Sequence, residues 1–197
     1  MTLPPVIRIF FAIDLPETHK EEIGLFIGGL KKKSKSHGIR WTKPENLHIT
    51  LQFLAEAHTE NLEALLKNVR KHVEGKIKNV SFHFGELQLF PNPYRPRVIV
   101  LTIEPQEHLR QLSSLIGQGI QATQYPLEAR PFKAHLTLGR IKYMQGVNLN
   151  FLTGETLLSK EGINIFEVVL FRSEPLPEGS HYTILDKIQL TELLEQS

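Results

Sequence analysis

The organisation of the chain depends on one short stretch, Leu47-His48-Ile49-Thr50-Leu51-Gln52-Phe53. In a β-strand, successive side chains point to opposite faces. His48 and Thr50 are therefore predicted to share one face, about 7 Å apart along the strand. The apolar residues are predicted to lie on the other face: Leu47, Ile49, Leu51 and Phe53. The stretch thus predicts a strand with an apolar side and a side that carries an imidazole and a hydroxyl.

The same pattern occurs a second time, in Ala134-His135-Leu136-Thr137-Leu138. Here His135 and Thr137 share a face opposite two leucines. One His-x-Thr stretch is weak evidence, because histidine and threonine on a strand are usually structural or solvated. Two copies, each with apolar residues behind the polar pair, favour an active site.

The surroundings of the two copies also match. Arg8 stands eight residues before Pro16, and Arg97 stands eight residues before Pro105. Each proline is followed by a helical stripe of apolar residues and then by a His-x-Thr stretch. Periodicity predicts strands at 6–13, 47–53, 80–90, 97–103, 163–171 and 182–190, helices after Pro16, Thr59 (as N-cap) and Pro105, a short helix within 148–158, and a turn at 91–96.

The repeating unit is therefore strand–helix–strand, with the His-x-Thr pair on the second strand. Two such units predict an α+β fold, a bilobal pseudo-twofold repeat in which two antiparallel or mixed sheets face a central cleft and helices lie outside. We expect one bilobal domain over 1–197, with approximate halves 1–92 and 93–197. This symmetry would bring the two His-x-Thr faces together across the cleft.

Composition excludes several classes of protein. With 41% hydrophobic and 22% charged residues, the 197-residue chain is typical of globular proteins. The absence of cysteine excludes disulfides, thiolate catalysis and cysteine-ligated metals. No apolar run reaches the length of a membrane span, and the start lacks a signal-peptide pattern. The net charge of +2 predicts only local contact with nucleic acid.

Two histidines suit general acid–base catalysis, because one can be neutral and the other protonated near neutral pH. Two threonine hydroxyls can donate hydrogen bonds to anionic oxygens, as phosphoryl transfer requires. A strained 2',3'-cyclic phosphate is the phosphodiester that fits best. Two histidines can also bind zinc, but the sequence has no His-Glu-x-x-His motif, so metal catalysis is the weaker interpretation.

The flanks of both copies resemble a known family. The stretch 40–54, RWTKPENLHITLQFL, resembles the first signature of the two-histidine phosphoesterases, and 130–140, RPFKAHLTLGR, resembles the second. Within that superfamily the chain is most similar to the bacterial and archaeal RNA 2',3'-cyclic phosphodiesterases, formerly called 2'-5' RNA ligases. Further matches lie at 8–13, 95–98 and 173–185. Ala134 departs from the proline that the family commonly has there.

The resemblance implies a metal-independent hydrolase that opens 2',3'-cyclic phosphate ends of RNA to 2'-phosphomonoesters, with no cofactor. By motif position, His135 is expected to be the general base and His48 the general acid, although the reverse assignment stays open. Thr50 and Thr137 are expected to hold the non-bridging oxygens. The family has a basic residue at Arg140, which strict alternation would turn away from the site unless Gly139 marks a bulge.

Other residues are weaker candidates. Tyr94 and Arg95, in a proline-rich turn, are expected to contact the substrate. Four aromatic residues are candidates for base stacking or for the core: Phe10, Trp41, Phe90 and Phe132. Seven histidines are interpreted as surface or structural residues: His19, His37, His58, His72, His83, His108 and His181.

The expected partner is RNA or a nucleotide with a 2',3'-cyclic phosphate end, and we expect a cytoplasmic monomer without membrane contact. Three alternatives stay open: minor 2'-5' ligation by the reverse reaction, a metallohydrolase, and a non-catalytic RNA-binding module of the same fold. Activity of His48 variants separates the binding module from an enzyme, and sensitivity to a chelator identifies a metallohydrolase.

Overall fold

The computed structural model of the protein describes residues 3–129, 131–143, 148–157, 162–177 and 179–190. These residues form nine strands: β1 (Val6–Asp14), β2 (Ile39–Trp41), β3 (His48–His58), β4 (Val80–Phe90), β5 (Val98–Glu104), β6 (His135–Ile141), β7 (Ile163–Ile165), β8 (Glu167–Leu176) and β9 (Gly179–Gln189). They also form three α-helices: α1 (Glu17–Ser34), α2 (Leu62–Val73) and α3 (Glu107–Ala122). Short 3-10 turns cover Pro44–Asn46, Thr59–Asn61 and Asn150–Leu152.

The strands form two antiparallel sheets. The first sheet has the order β3-β1-β8-β9, and the second has the order β2-β6-β5-β4-β7. The sheets face a central cleft and the helices pack outside, which confirms the predicted α+β class and pseudo-twofold arrangement. β3, the edge strand of the first sheet, contacts β6 of the second. The two His-x-Thr strands therefore meet in the middle of the molecule.

Each sheet takes strands from both ends of the chain. The first sheet combines β1 and β3 with β8 and β9, while the second combines β2 and β4 with β5, β6 and β7. The pair β1–β3 corresponds to the pair β5–β6. The first pair gains β8 and β9 from the second half of the sequence, and the second pair gains β2 and β4 from the first half. The predicted halves 1–92 and 93–197 stay a prediction, but the sheets themselves do not divide there.

One continuous apolar core joins the helices to the outer faces of both sheets. The predicted stripe of α3 is fully buried: Leu109, Leu112, Ile116 and Ile120. α3 crosses α2 so closely that a Cβ on Gly119 would lie 2.5 Å from Cα of Val69. Only glycine allows this approach without a backbone shift. None of the helices in the described part of the chain is long and apolar enough to cross a membrane.

Two of the predicted elements differ in the structure. Thr59 is not the N-cap of α2, because it begins a 3-10 turn and its hydroxyl donates a hydrogen bond to the carbonyl of Pro5 (3.2 Å). The single strand predicted at 163–171 is two strands, β7 in the second sheet and β8 in the first. The chain crosses between sheets at Phe166, which is 58% exposed.

The short helix predicted within 148–158 is the 3-10 turn Asn150–Leu152. Leu158, like Arg130 and Glu178, lies outside the described residues.

Candidate active site

Both histidines are oriented by a main-chain carbonyl two residues earlier in the chain. His48 Nδ1 lies 2.7 Å from the carbonyl oxygen of Asn46, and His135 Nδ1 lies 2.8 Å from that of Lys133. Because a carbonyl oxygen can only accept, Nδ1 must carry the hydrogen and donate it in both rings. Nε2 of each neutral imidazole therefore has the free lone pair and is the nitrogen available for catalysis.

The entry of β3 is held by the 3-10 turn that precedes His48. Asn46, the last residue of this turn, donates a hydrogen bond from Nδ2 to the carbonyl of Ser180 (3.0 Å) at the start of β9. The same residue thus uses its own carbonyl to orient the imidazole and its side chain to fasten the turn to the β8–β9 hairpin. Ser180 belongs to the stretch 173–185 that resembles the family, and this bond places it at the border of the site.

The entry of β6 is held by Gln106, just before α3. Gln106 Oε1 accepts a hydrogen bond from the backbone N–H of Ala134 (2.9 Å), and Nε2 donates to the carbonyl of the same residue (3.0 Å). A proline at position 134 has no N–H and could not donate the first bond. The departure from the family pattern at Ala134 therefore gives this chain an additional fastening directly before His135.

The two threonines lie on the faces predicted for them but have different partners. Thr50 Oγ1 lies 3.1 Å from His48 Nε2, to which the hydroxyl donates when the ring is neutral. Thr137 is half-buried beside His135, and its carbonyl accepts a hydrogen bond from the Thr42 hydroxyl (2.9 Å). That bond continues the pairing between the end of β2 and β6.

A bulge follows the His-x-Thr pair in both strands. In β3 the register with β1 shifts by one residue at Leu51, and in β6 the register with β5 shifts at Leu138. Since side chains alternate along a strand, an extra residue reverses the facing of those that follow. The sequence predicts that Arg140 faces the cleft only if a bulge lies at Gly139; the bulge lies one residue earlier, at Leu138, and turns Arg140 towards the cleft.

The corresponding bulge in β3 overturns one prediction. Phe53 does not share the apolar face of Leu47 and Ile49, because the shift at Leu51 turns it to the cleft side. It packs there with Phe10, Phe171 and Tyr182, in a small cluster separate from the main core. Gln52 takes the helix-facing place instead, where its Nε2 donates to the Ser113 carbonyl of α3 (3.0 Å).

Burial and neighbouring cations keep both histidines neutral at pH 7. The pKa of His48 is lowered from 6.5 to about 4, chiefly by burial; the Asn46 carbonyl and the Asp14 carboxylate oppose this, while Arg140 and His135 add to it. The pKa of His135 is also lowered, first by burial and then by the charges of Arg140 and Lys133, against the Lys133 carbonyl. Arg140 therefore acts electrostatically on both rings.

Aromatic rings surround each imidazole. The centroid of His48 lies 4.8 Å from that of Phe10 and 5.2 Å from that of Tyr182, whose ring meets it edge-on. The centroid of His135 lies 5.2 Å from that of Phe90, and the Lys133 ammonium sits 4.7 Å above the Phe90 ring. Two of the four aromatic candidates from the sequence, Phe10 and Phe90, thus border the histidines.

A cavity of about 270 Å³ opens beside His48, between β2, the Pro44–Asn46 turn and the β8–β9 hairpin. It is rich in cationic side chains: Arg40, Lys43 and Arg140. His181 and Tyr182 also line it. His181 is exposed, as a surface residue is expected to be, and the surface on which it lies is the wall of this cavity. Both residues lie within the stretch 173–185 that resembles the family, and the long β8–β9 hairpin brings them to the site.

Tyr94 and Arg95 lie in the turn between β4 and β5. Tyr94 is 93% exposed, and the backbone N–H groups of both residues donate to Asn92 Oδ1 (3.1 and 3.0 Å). A second pocket, of about 730 Å³, is lined by the neighbouring 89–93 segment and by Lys133, but not by Tyr94 or Arg95. Substrate contact by these two residues stays a prediction.

Within the described ranges, no group of three or more His, Asp or Glu side chains could hold a metal ion. The site as described consists of two imidazoles, two hydroxyls and a cationic border. These groups can donate and accept protons and can bind an anion, which is the chemistry of phosphoester cleavage.

Comparison with known proteins agrees with this site. Residues 13–100 match the family model of the LigT-like phosphoesterases. The fold is similar to the crystal structure of TT0787 from Thermus thermophilus, with a TM-score of 0.75 and 26% identity over 94% of this chain and 98% of that one. It is similar to the same degree to LigT of Escherichia coli complexed with 3'-AMP, over 94% of this chain and 99% of that chain.

Proteins with a similar amino-acid sequence have a more specific name than the family model does. The RNA 2',3'-cyclic phosphodiesterase of Archaeoglobus fulgidus is 31% identical over 140 residues, which cover 68% of this chain and 73% of the relative. The enzyme of the same name from Methanothermobacter thermautotrophicus is 30% identical over 186 residues, 93% of this chain and 99% of the relative. The chain therefore belongs to the RNA 2',3'-cyclic phosphodiesterase family of LigT-like phosphoesterases. The predicted family is confirmed, as is the prediction that the protein is a hydrolase.

Proposed function

We propose that this protein hydrolyses 2',3'-cyclic phosphate ends of RNA to 2'-phosphomonoesters by general acid–base catalysis with two histidines. The observation that carries the proposal is the matched geometry of His48 and His135. Each ring donates Nδ1–H to a carbonyl and leaves Nε2 for catalysis, on two strands that contact each other. The names of the relatives, several at about 30% identity, support the substrate class.

In the proposed reaction, His135 removes a proton from water as the water oxygen bonds to phosphorus. The bond between phosphorus and the 3' oxygen breaks, and His48 gives its proton to that oxygen. The products are a 2'-phosphomonoester and a free 3' hydroxyl, and the two imidazoles have exchanged protonation states. The lowered pKa of His135 supports its role, since a general base must be neutral at the working pH.

The lowered pKa of His48 means that the acid must gain its proton as the substrate binds. A cyclic phosphate is an anion, and an anion next to an imidazole favours the charged form. Binding should therefore draw a proton from solution onto one histidine. In the proposed complex, the hydroxyl of Thr50 is released from His48 Nε2 and donates to a non-bridging oxygen, as that of Thr137 does from the other strand.

Arg140 is proposed to bind the same oxygens. It faces both imidazoles, lies at the edge of the cationic cavity and can donate two parallel hydrogen bonds to phosphate. Tyr94 and Arg95 are proposed as outer contacts to the RNA, from their exposed turn next to the pocket beside His135.

The proposal is tested by incubating the protein with a 2',3'-cyclic mononucleotide in excess EDTA and identifying the isomer produced. A 2'-phosphate is expected. A 3'-phosphate would keep the enzyme class but reverse which oxygen leaves, and activity that requires added metal would favour a metallohydrolase. RNA binding without turnover on any cyclic end would favour the non-catalytic module.

The roles of the two histidines are separated by a substrate whose bridging 3' oxygen is replaced by sulfur. A thiolate leaves without a proton, so this substrate should restore turnover to the variant that lacks the general acid. We expect rescue of His48→Ala and none of His135→Ala. Rescue of His135→Ala alone would reverse the assignment.

The reverse reaction, 2'-5' RNA ligation, is proposed as a minor activity, because water competes with the incoming hydroxyl unless the site excludes it. A cytoplasmic location and a monomeric state are also proposed. The cysteine-free sequence is compatible with a reducing compartment. Cell fractionation and sedimentation equilibrium test these two points.

A further inference from the structure

A buried lysine lies behind the first histidine and has no part in the mechanism proposed above. Lys20, in the first turns of α1, is only 7% exposed. Its ammonium lies 2.8 Å from Oδ1 of Asp14, the last residue of β1. A buried lysine is rare unless it is paired, because removing its charge from water is costly.

Asp14 occupies a special position relative to the active site. In the antiparallel pairing of β1 with β3, it is the direct partner of His48. The equivalent position in the other repeat is Thr102, the partner of His135 in the pairing of β5 with β6. The hydroxyl of Thr102 accepts a hydrogen bond from the Glu86 backbone N–H (2.8 Å). In the strand register, one histidine thus stands opposite an aspartate and the other stands opposite a threonine.

We propose that the Asp14–Lys20 ion pair is a positioning element that makes the two histidines unequal, the Asp14 carboxylate favouring a proton on His48 and Lys20 limiting that effect. This rests on the proposed function, in which one histidine must be the acid and the other the base. The pseudo-twofold symmetry of the His-x-Thr strands gives no such direction by itself. The difference between Asp14 and Thr102 supplies it.

The charges around His48 agree with this role. Arg140 and His135 face it from β6 and oppose its protonation, while Tyr182 from β9 contacts it with a ring edge. Among the described groups that act on its pKa, the Asp14 carboxylate is the anionic one, and it raises that pKa. For His135 the acting charges are the cations Arg140 and Lys133. The ammonium of Lys20 lies 2.8 Å from Asp14 Oδ1 and so weakens the attraction of that carboxylate for a proton on His48.

The test is the titration of both imidazoles by NMR in the free protein, which requires no activity. Lys20→Met leaves the Asp14 charge uncompensated and should raise the proton affinity of His48 at least threefold, with little change at His135. Asp14→Asn should lower it by a similar factor. Lys20→Gln, which keeps a hydrogen-bond donor but not the charge, should act like Lys20→Met and is the substitute if that variant does not fold. Lys20→Arg, which keeps the charge, should restore the wild-type titration.

Lys33→Met is the matched control, because it removes a lysine of the same helix from an exposed pair with Glu155. It should leave both imidazoles unchanged. Equal shifts at both histidines, or none at His48 in both Lys20→Gln and Asp14→Asn, would overturn the proposal and leave the pair a purely structural fastening of α1.

Turnover gives the second measurement. At about pH 7.5, above the titration of both rings, the fraction of enzyme with a protonated acid grows with the proton affinity of that acid. If His48 is the acid, Lys20→Gln should raise kcat/KM for a cyclic nucleotide about twofold or more, and Asp14→Asn should lower it. A fall in Lys20→Gln, or no change despite a shifted titration, would show that His48 is not the acid. If the wild-type protein hydrolyses no cyclic phosphate, the proposed function fails, and the titration still decides whether the coupling exists.

Discussion

Phe53 and Arg140 occupy equivalent positions in the two repeats. Each stands five residues after a catalytic-site histidine, and each is turned into the cleft by a one-residue bulge. In one repeat the position carries an aromatic ring, which packs with Phe10 and lies 5.4 Å from the Arg8 guanidinium. In the other it carries a guanidinium beside both imidazoles. At this position the β6 side therefore offers a hydrogen-bonding cation, whereas the β3 side offers an apolar ring.

Removing Arg140 should weaken the binding of the anionic substrate. For Arg140→Gln we expect kcat/KM to fall about 10- to 100-fold, since a bidentate charge-assisted contact is lost. Arg140→Lys should recover only part of it, because lysine cannot form the paired contact. The measurement is steady-state kinetics on a cyclic nucleotide, with Arg110→Gln on the outer surface of α3 as control. A loss shared by the control would remove Arg140 from the site.

Replacing either histidine should stop proton transfer. His48→Ala and His135→Ala are each expected to lower kcat by about 100-fold or more, the usual size of a general acid–base contribution. His72→Ala is the matched control, because His72 also donates Nδ1–H to a carbonyl, that of Asn68 (2.7 Å), but lies on α2. Turnover near that of the control in either variant would exclude that residue from the mechanism.

The threonine hydroxyls should act mainly in the transition state. Thr50→Val and Thr137→Val keep the shape of the strand but lose the donor, and each should reduce kcat by about 100-fold with a smaller effect on KM. Thr123→Val, which loses a hydroxyl bonded to the Gly119 carbonyl in α3, is the control. If kcat is unchanged in Thr137→Val, that hydroxyl serves only the packing of β6.

The burial of His48 should make stability depend on pH. Its pKa is about 4 in the folded protein and about 6.5 in an unfolded chain, so the unfolded state binds the proton more strongly. The stability that this group contributes is therefore complete above about pH 6.5 and is lost as the pH falls towards 4, up to roughly 3 kcal/mol. His135 adds to this with the same sign, because its pKa is also lowered.

Urea unfolding at several values between pH 7 and pH 4 measures this effect. Between those limits the stability of His48→Gln should fall less than that of the wild-type protein, whereas His72→Gln should follow the wild type. Parallel curves for His48→Gln and the wild type would mean that the imidazole is not held neutral by the fold.

Elements with a local pattern could be predicted from the amino-acid sequence alone. The two His-x-Thr strands and the apolar stripes of α1 and α3 follow from periods of two and 3.6 residues, and these agree with the structure. The repetition of the pattern in matching surroundings predicts the fold class and the central pair of histidines, and the resemblance of the stretches 40–54 and 130–140 to known signatures predicts the family. Alternation also gave the correct face for His48, Thr50 and their counterparts in β6.

Features that depend on pairing between distant segments could not be predicted from local patterns. A bulge exists only relative to a partner strand, so the facing of Phe53 and Arg140 required the register of β1 with β3 and of β5 with β6. The β8–β9 hairpin, which joins the first sheet, brings Tyr182 of β9 to His48, and β4, which joins the second sheet, brings Phe90 to His135. The inequality of the two histidines arises in the same way, because β-pairing sets Asp14 opposite one imidazole and Thr102 opposite the other.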